Sequence, residues 1–499
     1  MRVLLIYPPV TIWGKGKVGP HIPMGLVYIA SYLEKSGHEV KILDTLAEGR
    51  DVIESRGESN RIGMRAVEIK KIIRKFKPEL VGISVMFTAF KDDALDLAKL
   101  VKTVDKGIKV IVGGAHVSIN PKSMVESEFI DFAVKGEGEE IMAEVVGAMG
   151  NKMELKDIGG LVYKERGKIF ENKRMGMITN LDDLPFPALH LLNWKMYDDP
   201  NNVYQMRHPI GSMVTSRGCP NHCVYCSIHA VWEHSWRGRS PKNVVDEIEY
   251  LKKRFGIGEI SFQDDSMSVD KIRMKEICEE IIRRKIDIKW TTPNGVAHWT
   301  LDKDMIRLMK KAGCYRITFG IESGNPEVRR WVGKPFSLAQ AKELTKFANK
   351  MGMWTLATNI IGFPYETREE IEDTIKYAIE SDVDMAFFFR LGPRPGTPVY
   401  EVFKKEGWLP KDERELYSEE VACETKHIKG KDLFVIQNMA YKRFLRKRLV
   451  SFLNPIRLLR KIRNVEDLRY VAKMGWAGLR MAKRLAWEKS GVTSKAFRV

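Results

Sequence analysis

The sequence predicts two α/β domains in tandem. A doubly wound parallel sheet is expected over residues 1–150 and a partial (β/α)6 barrel of the TIM type over 206–400, with a helical region over 401–499. Three observations carry that expectation. A chain of 499 residues is too long for one ordinary domain. Short β-rich runs alternate with amphipathic stretches in two separate blocks, and parallel strands need helical crossovers of that kind. Between the blocks, Leu184-Pro185-Phe186-Pro187 interrupts regular structure, which marks residues 151–205 as a connector.

In the first block, strands are expected at 3–7, 40–43, 80–85, 110–112 and 132–134, with helices at 25–35, 64–76 and 92–102. The connector carries a hairpin pattern at 161–170. In the second block, strands are expected at 212–215, 259–262, 288–291, 316–320, 354–361 and 385–389. Six strand–helix units suit an incomplete barrel better than a second open sheet. Ligands of doubly wound sheets bind at the carboxyl ends of the strands. There this chain places Pro8-Pro9, Gly113-Gly114-Ala115-His116 and Gly136-Glu137-Gly138-Glu139. Glycine at such ends lets a ligand approach the backbone closely.

Composition excludes several classes. With 44% hydrophobic and 30% charged residues the chain is globular, neither disordered nor collagenous. No apolar run reaches the ~18 residues of a membrane span, and the N-terminus lacks a signal-peptide pattern, so a cytoplasmic protein is expected. Six cysteines are too few for a disulfide scaffold. The net charge of +18 is concentrated: residues 441–499 hold 17 Lys and Arg against 3 Asp and Glu.

Three of the cysteines form one run, Cys219-Pro220-Asn221-His222-Cys223-Val224-Tyr225-Cys226, directly after an expected strand. Three thiolates on one loop can hold three irons of a [4Fe–4S] cubane and leave the fourth open to a non-protein ligand. A zinc site completed by His222 or His229 is the alternative. Cys278, Cys314 and Cys423 stand alone and read as small buried hydrophobes.

A C-x3-C-x2-C run after the first strand of a barrel resembles the radical S-adenosylmethionine (SAM) superfamily. Later segments resemble it in the same order: Phe262-Gln263-Asp264-Asp265-Ser266, Gly320-Ile321-Glu322-Ser323-Gly324, Ile361-Gly362-Phe363-Pro364-Tyr365-Glu366-Thr367 and Gly392-Pro393-Arg394-Pro395-Gly396-Thr397-Pro398. The resemblance implies a cluster on Cys219, Cys223 and Cys226. It implies SAM contacts from Asp264, Asp265, Glu322, Gly362 and Pro364, with Tyr225 stacking on adenine or shielding the sulfurs. In isolation, Asp264 and Asp265 read as helix caps and Glu322 as a buried ion-pair partner.

The first block resembles the flavodoxin-like cobalamin-binding domain attached to many radical SAM enzymes. Pro23-Met24-Gly25-Leu26, then Gly113, Gly114 and His116, then Gly136, Glu137 and Gly138 carry that resemblance. The loop after the first strand has His21 but no D-x-H-x-x-G run, so either cobalamin binds without a protein imidazole on cobalt or the domain is a relic that binds no corrin; His21 and His116 read as ordinary polar residues. The implied cofactors are a [4Fe–4S] cluster, SAM and cobalamin, with a ferredoxin- or flavodoxin-like one-electron donor as partner. The implied chemistry is methylation or C–C bond formation at an unactivated carbon.

The basic tail alternates bulky apolar and cationic residues from Lys442 to Leu459 and from Met474 to Trp487. It reads as a helical cap on the barrel with a solvated basic face, as a surface for an anionic membrane, or, less well, as a nucleic-acid footprint. A peripheral position on the inner face of the membrane would suit a hydrophobic substrate, an isoprenoid or hopanoid-type lipid or a tetrapyrrole. An RNA-modifying radical enzyme and a non-catalytic corrin-binding or redox-sensing protein are the competing functions.

Overall fold

The run Arg2–Tyr7 forms β1, whose middle four residues are fully buried, as a parallel strand covered on both faces requires. In the computed structural model, which describes residues 1–13, 18–174, 176–199, 202–334, 336–411, 415–416, 422–452 and 454–487, the chain divides into two units. They are Met1–Tyr197 with Ala230–Trp232, and Asp198–His229 with Glu233–Val499.

In the first unit β2 is Val10–Trp13, β3 Glu39–Asp44, β4 Ile53–Arg56, β5 Ser59–Ile62, β6 Leu80–Ser84, β7 Lys109–Gly113, β8 Phe132–Val134, β9 Leu161–Glu165 and β10 Lys168–Glu171. The main sheet runs β10-β9-β8-β7-β6-β1-β3. Its parallel strands follow the 2-1-3-4-5 order of doubly wound flavodoxin-like folds, so its switch point lies between β1 and β6. The expected hairpin is β9 and β10, but it is no free connector: β9 pairs antiparallel with β8 and extends the sheet. A small sheet of β2, β5 and β4 was not legible in the sequence. Its strands are only four residues long and alternate weakly.

In the second unit β11 is Ile210–Met213, β12 Ser216–Gly218, β13 Trp236–Gly238, β14 Glu259–Phe262, β15 Lys289–Thr291, β16 Cys314–Glu322, β17 Trp354–Ile361 and β18 Met385–Arg390. Six of these form one all-parallel sheet in chain order, β11-β14-β15-β16-β17-β18, with a helix after each of the first five. The first strand stops at Met213 because Thr215 and Ser216 are bonded elsewhere, as described below.

Three helices, Gly430–Phe452, Pro455–Lys461 and Val465–Trp487, close the unit. The first packs on β18: Gln437 donates to the Phe388 carbonyl at 2.6 Å, and Tyr441 Oη accepts the Phe388 N–H at 2.8 Å. Much of the tail's charge is spent here. Arg443 pairs with Glu372, Arg448 with Asp382, and Arg457 and Lys461 with Asp384. Lys461 and Asp384, 2.7 Å apart, are both completely buried.

A buried ion pair is costly to break, because the surviving charge has no water to return to. Lys461→Met should therefore lower stability by about 3 kcal/mol, read as a fall in the guanidinium midpoint at neutral pH. Burial alone would raise the Asp384 carboxyl, but Lys461 and Arg457 hold it below the usual range. Its contribution is complete above about pH 4 and fades as the pH falls through the lower folded-state value. A pH-independent midpoint between pH 5 and pH 2 would contradict this role.

Candidate functional site

The three-cysteine loop begins at Gly218, whose φ of +88° suits glycine and strains other residues. Its entry and return strands, β12 and β13, pair antiparallel, so the loop is a closed excursion from a short ribbon. Two adjacent carboxylates hold its base. Asp264 accepts from the Thr215 N–H, from Thr215 Oγ1 at 2.6 Å and from Ser216 Oγ at 2.5 Å. Asp265 accepts the Gly218 N–H at 3.0 Å. Neither caps a helix; the following helix is capped by Asp270.

The far side is held by the chain's own backbone. Val224 N–H donates to the Val332 carbonyl and Val399 N–H to the Val224 carbonyl, both at 3.1 Å. Gly333 packs so closely under the loop that a Cβ would lie 2.7 Å from the His222 carbonyl. Val399 follows the Pro393–Pro398 run, so that segment pins the cysteine loop.

Cys219, Cys223 and Cys226 are free thiols, and Cys223 is buried. Burial raises all three; Cys219 adds to the rise at Cys223, both add to it at Cys226, and Cys226 is pushed up to about 12. Lys334 works against the rise at Cys219 and Cys223. Its Nζ donates to Glu322 at 2.6 Å, with both side chains largely buried, and lies 3.5 Å from the Tyr225 hydroxyl. Burial opposes the Lys334 charge, yet Glu322 and the cysteines keep its pKa raised. Glu322 itself sits at φ +62°, strained backbone for a non-glycine residue. A Cβ on Gly320 would collide with Lys334 Nζ at 2.6 Å, so that glycine makes room for the pair.

The Tyr225 ring packs against Phe363, with centroids 6.2 Å apart. This brings Gly362 and Pro364 beside the loop. Glu366 accepts the N–H groups of Gly362 and Phe363, and burial pushes its carboxyl up to about 8. Lys334 and Glu366 were missed as site residues by sequence reasoning. Lys334 carries no signal, since it meets Glu322 only because β16 and the helix after it fold back together. Glu366 stood inside a quoted segment.

The imidazoles offered for zinc do something else. His222, His229 and His234 stack in series, at 3.9 Å between His222 and His234 and 4.2 Å between His229 and His234. Among the described residues no three His, Cys, Asp or Glu side chains are arranged around a single ion. A lone zinc needs all its ligands within about 2.3 Å of one point, whereas a cubane spreads its thiolates over separate irons. The donor set fits the cluster.

In the first unit the carboxyl edge of the sheet is lined by small residues, Ser84, Gly113 and Gly114, beside exposed Met86 and Phe87. These small residues at the ends of β6 and β7, with the exposed apolar side chains beside them, leave room for a bulky ligand with an apolar face. His116 is turned inward: Nδ1 meets Thr88 Oγ1 at 3.0 Å and Nε2 meets Ser123 Oγ at 3.3 Å. His21 is exposed. Gly136 suits its φ of +90°, a Cβ there would meet the Arg174 guanidinium and one on Gly138 the terminal methyl of Ile29, and Glu137 accepts the Ile178 N–H.

Comparison with known proteins agrees with both units. Residues 213–378 match the Radical SAM superfamily and residues 17–146 the B12 binding domain. An uncharacterised methyltransferase of Pyrococcus horikoshii is 38% identical over 405 residues, covering 80% of this chain and 83% of that one. Cytidylyl-2-hydroxyethylphosphonate methyltransferase of Streptomyces wedmorensis is 31% identical over 447 residues, covering 83% of each. More distant are the anaerobic magnesium-protoporphyrin IX monomethyl ester cyclase of Rubrivivax gelatinosus, at 28% over 80% of this chain and 70% of the cyclase, and the hopanoid C-3 methylase of Methylococcus capsulatus, at 24% over 76% and 68%. The radical SAM methyltransferase TsrM from Kitasatospora setae, solved with cobalamin and a [4Fe–4S] cluster, shares the fold: TM-score 0.64 over 82% of this chain and 76% of TsrM, at 22% identity. The chain belongs to the family that joins a B12 binding domain to a Radical SAM domain, and it is a radical SAM enzyme of the methyltransferase or cyclase type.

Proposed function

We propose that this enzyme methylates an unactivated carbon, using a [4Fe–4S] cluster on Cys219, Cys223 and Cys226, SAM, and cobalamin at the carboxyl edge of the first sheet. The observation that carries the reading is one pinned loop that presents three cysteines, Cys219, Cys223 and Cys226, next to the buried Glu322–Lys334 pair. When bound, the cluster supplies the electron that cleaves SAM to a 5′-deoxyadenosyl radical, and the corrin supplies a methyl carrier. The chain's own residues hold and shield. Asp264 and Asp265 fix the base of the loop, so the SAM contacts assigned to them by resemblance would come from lone pairs left over. The Glu322–Lys334 pair offers both charge signs to the amino and carboxylate groups of SAM, and Tyr225, Phe363 and Pro364 provide an apolar wall for adenine.

Methylation is favoured over ring closure because two relatives above 30% identity are named methyltransferases and the cyclase is more distant. For the substrate, the reading is a hydrophobic molecule, an isoprenoid or hopanoid-type lipid or a tetrapyrrole, supported by the hopanoid methylase and the cyclase. An anionic phosphonate-type substrate is the second reading, favoured by the 31% relative. A one-electron donor of the ferredoxin or flavodoxin kind completes the cycle, and a cytoplasmic enzyme with peripheral membrane contact suits the lipid reading.

Protein prepared without oxygen and given SAM with deuterated methyl, a strong reductant and candidate lipids, tetrapyrroles or phosphonates should transfer the labelled methyl to one class. Cys223→Ala should lose iron and form no 5′-deoxyadenosine; product from that variant would contradict the assignment. His116→Ala should leave cobalt content unchanged, because both ring nitrogens already have protein partners. A variant stripped of cobalt would make His116 a ligand. Lys334→Met should cost about 3–5 kcal/mol by leaving Glu322 buried and unpaired, and adding Glu322→Gln should recover part of that loss. Additive losses in the double variant would mean the pair is not coupled.

A further inference from the structure

The C-terminal helices bury one set of basic residues and expose another. On Gly430–Phe452 the exposed positions Val435, Met439, Lys442, Arg446, Leu449 and Val450 recur at spacings of three and four and share one face. The opposite face, with Leu433, Ile436, Tyr441 and Phe444, is buried. On Pro455–Lys461 the exposed side chains include Ile456, Arg460 and Leu459, the last 69% exposed. On Val465–Trp487 the outer face carries Leu468, Arg469, Trp476, Leu479, Arg480 and Lys483, with Trp476 61% exposed. The three helices pack on one another, so these faces belong to one layer.

Few acids temper this surface. The two acidic residues between Leu433 and Lys483 are Glu466, bonded to Arg207, and Asp467, buried and accepting the Arg463 N–H. Among the described residues, the exposed face of this layer is therefore dominated by cationic and apolar side chains. We propose that it is a peripheral docking surface for an anionic lipid bilayer. Two features select that occupant. Leucine, isoleucine and tryptophan interleaved with cations gain by entering the headgroup boundary while Lys and Arg pair with lipid phosphate, and a nucleic acid would use the cations but leave the aliphatic residues in water. A second copy of the chain would bring the same positive face against it, and like charges repel. None of the described helices is long and apolar enough to cross a membrane, so the layer lies on the surface. The inference stands independently of the substrate proposed above.

The full-length reconstituted protein, sedimented with phosphatidylcholine vesicles containing about one third phosphatidylglycerol at about 0.1 M salt, should be found with the lipid. Pure phosphatidylcholine, or about 0.5 M salt, should lower the bound fraction at least about fivefold. Trp476→Ser with Leu479→Ser, and separately Arg469→Glu with Arg480→Glu, should each do the same on anionic vesicles while the thermal midpoint stays unchanged. Ile272→Ser, at an exposed residue on another helix, should change nothing. The proposal is overturned if the wild type stays in the supernatant with anionic vesicles, if neither double variant weakens binding, if a short RNA binds and the vesicles do not, or if light scattering shows a dimer that the Trp476 and Leu479 substitutions dissolve. Vesicle binding with no methyl transfer to any lipid would remove the lipid-substrate reading and leave this surface in place.

Discussion

A loop can present three cysteines together only if it cannot relax out of shape. Burial pushes each thiol up, so without metal the loop carries neutral thiols and its shape has to come from the fold. Hydrogen bonds and close packing from segments far apart in sequence hold it: the carboxylates of Asp264 and Asp265 at the base, Val332 and Gly333 beneath, and Val399 on the far side. The second unit converges on this point. The barrel strands set the distance between these segments, and the Glu322–Lys334 pair supplies buried charge of both signs next to the sulfurs.

That convergence explains which parts were legible in the sequence. The parallel strands of the first unit were readable because strands covered on both faces are near-continuous apolar runs, as in β1, β6 and β7, whose interiors are buried. The cysteine spacing was readable because it is local. Contacts made by chain ends folding back were not: β12 and β13 are three residues each, and Lys334 reaches Glu322 across a helix and a turn. The aspartates show the same limit from another side. Their position in the chain suggested ligand contact or helix capping, and only the fold shows them holding the backbone of the cysteine loop.

In the first unit, residues of the glycine-rich segments make local contacts that spacing alone could not show. A Cβ on Gly136 would meet the tip of the Arg174 side chain and one on Gly138 the tip of Ile29. The His116 ring is bonded to Thr88 and Ser123. The C-terminal charge divides in two. Arg448, Arg457 and Lys461 act as buried clamps on Asp382 and Asp384, while the cations on the outer face are left for a surface role.

Every catalytic role proposed for the second unit depends on a cluster with three protein ligands and one open iron. Electron–nuclear double resonance of the reduced protein, with SAM carrying 17O in its carboxylate and 15N in its amino group, reads that open iron. A four-iron spectrum with strong coupling to both labels is expected. Zinc in place of iron, or a cluster showing no coupling because a fourth protein ligand fills the last site, would contradict it.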